Sequence, residues 1–254
     1  MTWSGGTQSG AGSTTVGTTG VLSISGAATK LLDGPRVLTN SSAAGSTWTG
    51  SGNISAQFVA GATFNNAGVL DIQSDVGVLN SSFSNSGTLT KSGGSGASVF
   101  NNTSGSFTNS GTVNVNSGTL QLNNGGGQSG GTFNVGTSGT LQFNGGTFTI
   151  SGGSLTGTGV VDHAGGTVAV NAPVAAVNYT LSGGGATLNG SGTLTTSGAY
   201  TESNGAISGV NLTANGALNW SGGTMSGGGT TTVGTTGVLS ISGAATKLLD
   251  GPRV

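Results

Sequence analysis

Apart from a segment that the chain contains twice, only six side chains carry a charge or an imidazole: Asp71, Asp75, Lys91, Asp162, His163 and Glu202. Carboxylates clustered on one face of a sheet can act as acid and base on a glycosidic bond or hold a metal for polysaccharide cleavage. Asp71 and Asp75 are the best candidate pair. They stand four residues apart, so they share a face only if their strand runs unbroken, and an apolar pattern restarts at Val76. Solvated positions are expected for these two carboxylates. Asp162 and His163 are adjacent, which on a strand sends their side chains to opposite faces. They are expected to be a surface or turn pair, not part of a triad.

Other chemistries lack their residues. The chain has no cysteine, so it has neither a disulfide framework nor a thiolate metal site. The glycine runs 125–127 and 183–185 open no helix and no GxxxxGK[ST] string occurs, so nothing cradles a phosphate. The calcium-binding GGxGxDxUx repeat is absent. Five basic residues against six acidic ones leave no electrostatic footprint for nucleic acid. No run of about 18 apolar residues suggests a membrane span in this segment. The expectation is a protein that is not an enzyme, with no cofactor, no metal and no nucleic-acid partner.

The elements that position these groups are short strands. Val113/Val115, Leu120/Leu122, Phe133/Val135, Leu141/Phe143, Phe148/Ile150, Val168/Val170, Val210/Leu212 and Leu218/Trp220 are apolar pairs two residues apart, which in an extended strand point to one face. They recur every seven or eight residues, with glycine-containing corners between them, and leave no room for helices. Disorder is disfavoured by the regular Val, Leu, Ile and Phe and by a net charge of only −1. Collagen fails because glycine does not fall at every third position.

A longer period fixes the coil. Phe64, Phe83 and Phe107 open the related strings FNNAGVLDI, FSNSGTLTK and FTNSGTVNV, 19 and then 24 residues apart. Three strand units of about seven residues make one coil. The predicted fold is all-β, a parallel β-helix (β-solenoid) with about 20 residues per rung, expected to be right-handed and roughly triangular. Asn65, Asn66, Asn85 and Asn109 suit either ladders along the axis or simple turns. Aligning the strings places Lys91 where Ile72 and Val115 point inward. A lone buried ammonium is costly, so the strand is expected to stop at Thr90 and the SGGSG that follows to carry the lysine outward.

The duplicated segment organises the whole chain. VGTTGVLSISGAATKLLDGPRV spans residues 16–37 and recurs letter for letter at 233–254, an offset of 233 − 16 = 217 residues. Extended to 1–37 and 218–254, the windows differ only at Met1/Leu218, Thr2/Asn219, Gln8/Met225, Ala11/Gly228 and Ser13/Thr230. Residues 1–217 therefore read as one full super-repeat and 218–254 as the start of the next, in one continuous rod cut from a longer repetitive polypeptide. Within the segment, Lys30, Asp33 and Arg36 surround Pro35 and an Asp-Gly pair, and Lys247, Asp250 and Arg253 repeat them. This reads as a loop projecting from the rod, either a salt-linked corner or a contact loop recurring once per period.

The GT-apolar-x-apolar units, the FNNSG-like strings and the WSGGTMSGGGTTTV opening resemble the β-strand repeats of very large bacterial surface proteins, similar to filamentous-haemagglutinin-type adhesins and autotransporter passenger domains. The resemblance implies an extracellular β-helical rod or fibre and assigns no functional residue. The leading expectation is a structural and adhesive rod at the cell surface. Its partner would be itself, by end-to-end stacking into a filament, with surface glycans or other cells as further candidates. The alternative is a carbohydrate-active or carbohydrate-binding β-helix. An ice-binding solenoid ranks third, because Thr88/Thr90, Thr147/Thr149 and Thr193/Thr195 do not form a run of consecutive rungs.

Overall fold

Alternation of apolar and polar residues, closed by a corner, produces strands in which every second side chain enters a closed interior. Thr63–Asn66 buries Phe64 and Asn66, Val69–Ile72 buries Leu70 and Ile72, and Thr88–Lys91 buries Leu89 and Lys91. The structure is a computed structural model that describes residues 1–55, 61–101 and 105–254. Its strands stack in parallel into a β-solenoid of about 11 turns, with about 21 residues per turn and no helix among the described residues. At strand spacing, that is a rod of roughly 50 Å.

Each turn lays one strand on each of three faces. The first face runs through Ser13–Val16, Val37–Asn40, Thr63–Asn66, Ser82–Asn85 and Phe107–Asn109. The second runs through Thr2–Trp3, Ser23–Ile24, Ser46–Trp48, Val69–Ile72, Thr88–Lys91 and Thr112–Val115. The third begins with Gly6–Gln8, Lys30–Leu32, Ile54–Ser55 and Val78–Leu79. Pairing is in register, so the interior is a set of columns. Phe64 stacks on Phe83 and Phe83 on Phe107, as the aligned strings predict. Ring centroids are 5.2 Å and 5.5 Å apart along this column, close enough for aromatic contact to add to simple burial.

The next column on the first face is polar. Asn40, Asn66, Asn85 and Asn109 occupy successive turns and are fully or almost fully buried. Each side-chain amide donates to the next asparagine's Oδ1, at 2.8, 2.8 and 2.9 Å. The second amide hydrogen goes to a backbone carbonyl of the following turn: Val69, Thr88 and Thr112 for Asn40, Asn66 and Asn85. Of the two readings for these residues, the ladder holds for Asn66, Asn85 and Asn109, whereas Asn65 faces outward. A buried amide left unpaired costs about 1–3 kcal/mol, and repetition in register is what pairs it. Gln128 follows Asn109 in register but sends its amide to Gly131 O at 2.6 Å, which ends the ladder before Ile150. Beside it, Gly126 interrupts the phenylalanine column. Its φ of 142° is open to glycine, and a Cβ there would run into the Phe107 carbonyl oxygen.

Burial in this fold comes from the turn above. Ile24 lies between Trp3 and Trp48 and is 0% exposed, whereas the identical Ile241 stacks on Trp220 and is 58% exposed. The local sequence is the same in both copies. What differs is the covering turn, residues 38–55.

Replacing Phe148 by Asp puts an unpaired charge into the core and should abolish cooperative thermal unfolding, read by circular dichroism. Thr149→Lys, one residue on and facing outward, should stay within about 0.5 kcal/mol of the parent.

Candidate functional site

The ionisable groups fall into three separate places. The first is a clip between turns. Lys91 lies in the strand Thr88–Lys91 and is 1% exposed, so the expectation that it turns outward is overturned. Its position between Ile72 and Val115 is the one the alignment demanded. The ammonium is neutralised from outside the strand: Nζ donates to Asp75 Oδ1 and to Gly93 O, both at 2.9 Å. Asp75 also accepts the Gly96 N–H at 2.9 Å, and the hydrogen bond from Lys91 holds its carboxyl below the usual range. This is the one ion pair among the described residues. Asp71 does not join it. Its strand ends at Ile72, and its carboxylate accepts from Gln73 at 2.8 Å on the outer surface.

The second place is inside the third face. Asp162 and His163 do point to opposite sides, but the strand Val160–Val170 carries His163 into the core, fully buried, instead of onto the surface. Nε2 faces the Gly166 carbonyl at 3.1 Å, which can only accept, so Nε2 carries the proton and Nδ1 accepts from the Tyr179 hydroxyl at 3.2 Å. Tyr179 stacks on Tyr200, with centroids 6.1 Å apart, and Tyr200 donates to Glu202 Oε2 at 3.3 Å. Glu202 is fully buried, and its Oε1 has no partner among the described residues. Burial lowers the His163 pKa to about 4 and raises that of Glu202 to about 8, despite the Tyr200 bond and Arg253 nearby. Both groups are therefore uncharged inside the neutral-pH fold.

The third place is the duplicated segment, which is not a projecting loop. Lys30–Leu32 is a strand of the third face, with Lys30 and Leu32 inside. Lys30 Nζ is held by three carbonyl oxygens, Gly26 at 3.1 Å, Ala28 at 2.9 Å and Gly52 at 3.3 Å, and burial lowers its pKa. A carbonyl cage takes the place of the expected salt link. Lys247 repeats the cage with Gly243 and Ala245, both at 2.7 Å. Asp33 is buried, and the bend behind it needs Gly34 at a φ of 72°. Asp250 instead accepts the Gly251 N–H at 2.8 Å. Arg36 donates to Thr14 at 2.7 Å, and Arg253 to the equivalent Thr231 at 2.8 Å and to the carbonyls of Ser226, Val210 and Thr230. Between residues 29 and 36 of the first copy, the outer surface is thus left to Thr29, Leu31, Pro35 and part of Arg36.

Among the described residues no three of His, Asp and Glu converge on a point that could hold a metal. A surface depression of about 450 Å³ over Thr187, Thr224 and Leu248 has no ionisable lining. No protein family, curated protein or solved structure matches the chain. Lys30, Lys91, His163 and Glu202 are each buried within the coil.

Two predictions follow the buried charges. Asp75→Ala strands the Lys91 ammonium and should destabilise by about 1–3 kcal/mol in urea unfolding. Lys91→Met restores an apolar column and should cost less. Glu202 binds its proton up to pH about 8 when folded but only to about 4.5 when unfolded, so its contribution falls as pH rises between those values. His163 is neutral down to pH about 4 when folded but protonates near 6.5 when unfolded, so its contribution falls as pH drops between those values. The two slopes cancel from pH about 4.5 to 6.5. Above that, stability should fall by about 2 kcal/mol towards pH 8, and Glu202→Gln should flatten this limb.

Proposed function

We propose that the chain is a structural, non-enzymatic rod of an extracellular surface fibre, in which length and stiffness are the function and turns stack axially onto further turns of the same kind. One observation supports the axial stacking. The same sequence buries Ile24 completely under residues 38–55 and leaves Ile241 open, so the surface formed by Leu239, Ile241 and Leu249 is one that another turn of this repeat covers. Covering such apolar area contributes about 25 cal/mol per Å². The resemblance to bacterial surface β-strand repeats supports the extracellular and adhesive setting. The placement of the ionisable groups favours a non-catalytic role, since Lys91, His163, Glu202 and Lys30 are all buried inside the coil.

Negative-stain electron microscopy of the purified chain, alone and lengthened after Val254 by residues 38–55, tests this reading. End-to-end filaments of uniform width, with Trp220 fluorescence blue-shifted in the lengthened chain, are expected. Discrete particles with unchanged fluorescence would contradict axial stacking. Cleavage of a neutral or acidic polysaccharide, lost on alanine substitution at Asp71, Asp162 or Glu202, would replace the structural reading with the carbohydrate-active one.

A further inference from the structure

The two copies of the duplicated segment do not lie on the same side of the rod. Lys30–Leu32 belongs to the third face, which continues through Leu79 and Asn101, then Phe100, Leu122, Phe143, His163, Leu181, Glu202 and Trp220 to Ile241. Its counterpart Lys247–Leu249 stacks instead on Met225, Ile207, Leu188, Val168 and Phe148, the column of the first face.

The cause is a count. Going from Lys30–Leu32 to Lys247–Leu249 passes 27 named strands, and three of these round corners: Gly126–Val135, Gly139–Thr156 and Val160–Val170 occupy two, three and two face positions. The separation is therefore 27 + 4 = 31 positions, ten circuits of three plus one. Over 217 residues this is seven residues per position. Whole turns would need roughly 210 or 231 residues.

We infer that the 217-residue repeat is a screw unit, carrying each recurrence of the segment a third of a turn around the axis. The inference rests on the reading of the chain as a rod whose turns stack axially onto further turns of the same kind. Thr29, Leu31 and Pro35 in one copy and Thr246, Leu248 and Pro252 in the other cannot both touch a flat surface lying along one side. The two copies are separated by about 50 Å along the axis. A rod built on this period has no privileged side, and its structural repeat along the axis is three periods, with one period as the screw step.

Spin labels measure the rotation without any partner. Leu31→Cys paired with Ser240→Cys places both labels on the third face, because Ser240 stacks on Asn219 and Thr201 there. Leu31→Cys paired with Leu248→Cys spans almost the same axial distance but two faces. Both pairs sit at outward positions, and circular dichroism of each labelled variant confirms the parent fold. Double electron–electron resonance should give the longer distance for Leu31/Leu248. Equal distances, or the longer one for Leu31/Ser240, would overturn the screw. If the rotation is found but the chain lengthened after Val254 forms no filaments, the axial-stacking reading fails and the screw of the period stands.

Discussion

In-register parallel stacking is the constraint on which everything else in this molecule depends. Each strand completes its backbone hydrogen bonds only with the strands one turn below and one turn above. Once register is set, every inward side chain has the equivalent residues of those turns as its neighbours. A column can therefore be apolar, as from Phe64 to Phe107, or polar, as from Asn40 to Asn109, but a change of chemistry within a column needs a local remedy. Gln128 folds back onto Gly131, Lys91 reaches Asp75, Lys30 enters a carbonyl cage, and His163 is bracketed by Gly166 and Tyr179. Each remedy uses backbone carbonyls or a residue from an adjacent turn, since a turn of about 21 residues has no second layer to draw on.

The same constraint makes the rod cooperative along its axis. A turn's apolar residues are buried by the following turn, as Ile24 and Ile241 demonstrate with identical sequence. Stability is then mostly a sum of interfaces between neighbouring turns. A buried group left partly unpaired, as the neutral Glu202 is at Oε1, lowers that sum in its own turn.

Much of this was legible in the sequence. Residues two apart set the inward pairs, and the three phenylalanine strings gave the pairing of Phe64, Phe83 and Phe107 and of Ile72, Lys91 and Val115 without any coordinates. Where the reading failed, it preferred the cost of burial over the alternation of the strand. Alternation placed Lys91 inside and the general expense of buried charge argued it out, while His163 was read as half of a surface or turn pair. The compensating groups were hidden because they are neighbours only after coiling: Asp75 is 16 residues before Lys91, and Tyr179 is 16 after His163. The KLLDGPR segment misled in the same way. Three charges around a proline resemble a loop, yet Lys30-Leu31-Leu32 alternates correctly, and backbone carbonyls, which no sequence advertises, neutralise the lysine.

The asparagine column tests register stacking most directly, because no single turn could produce its hydrogen bonds. In a labelled sample, the side-chain amides of Asn40, Asn66 and Asn85 should show nuclear Overhauser contacts each to the next asparagine up the axis, and should exchange with solvent as slowly as core backbone amides. Rapidly exchanging amides without such contacts would mean that successive turns are not stacked in this register, and the account of the interior would fall with them.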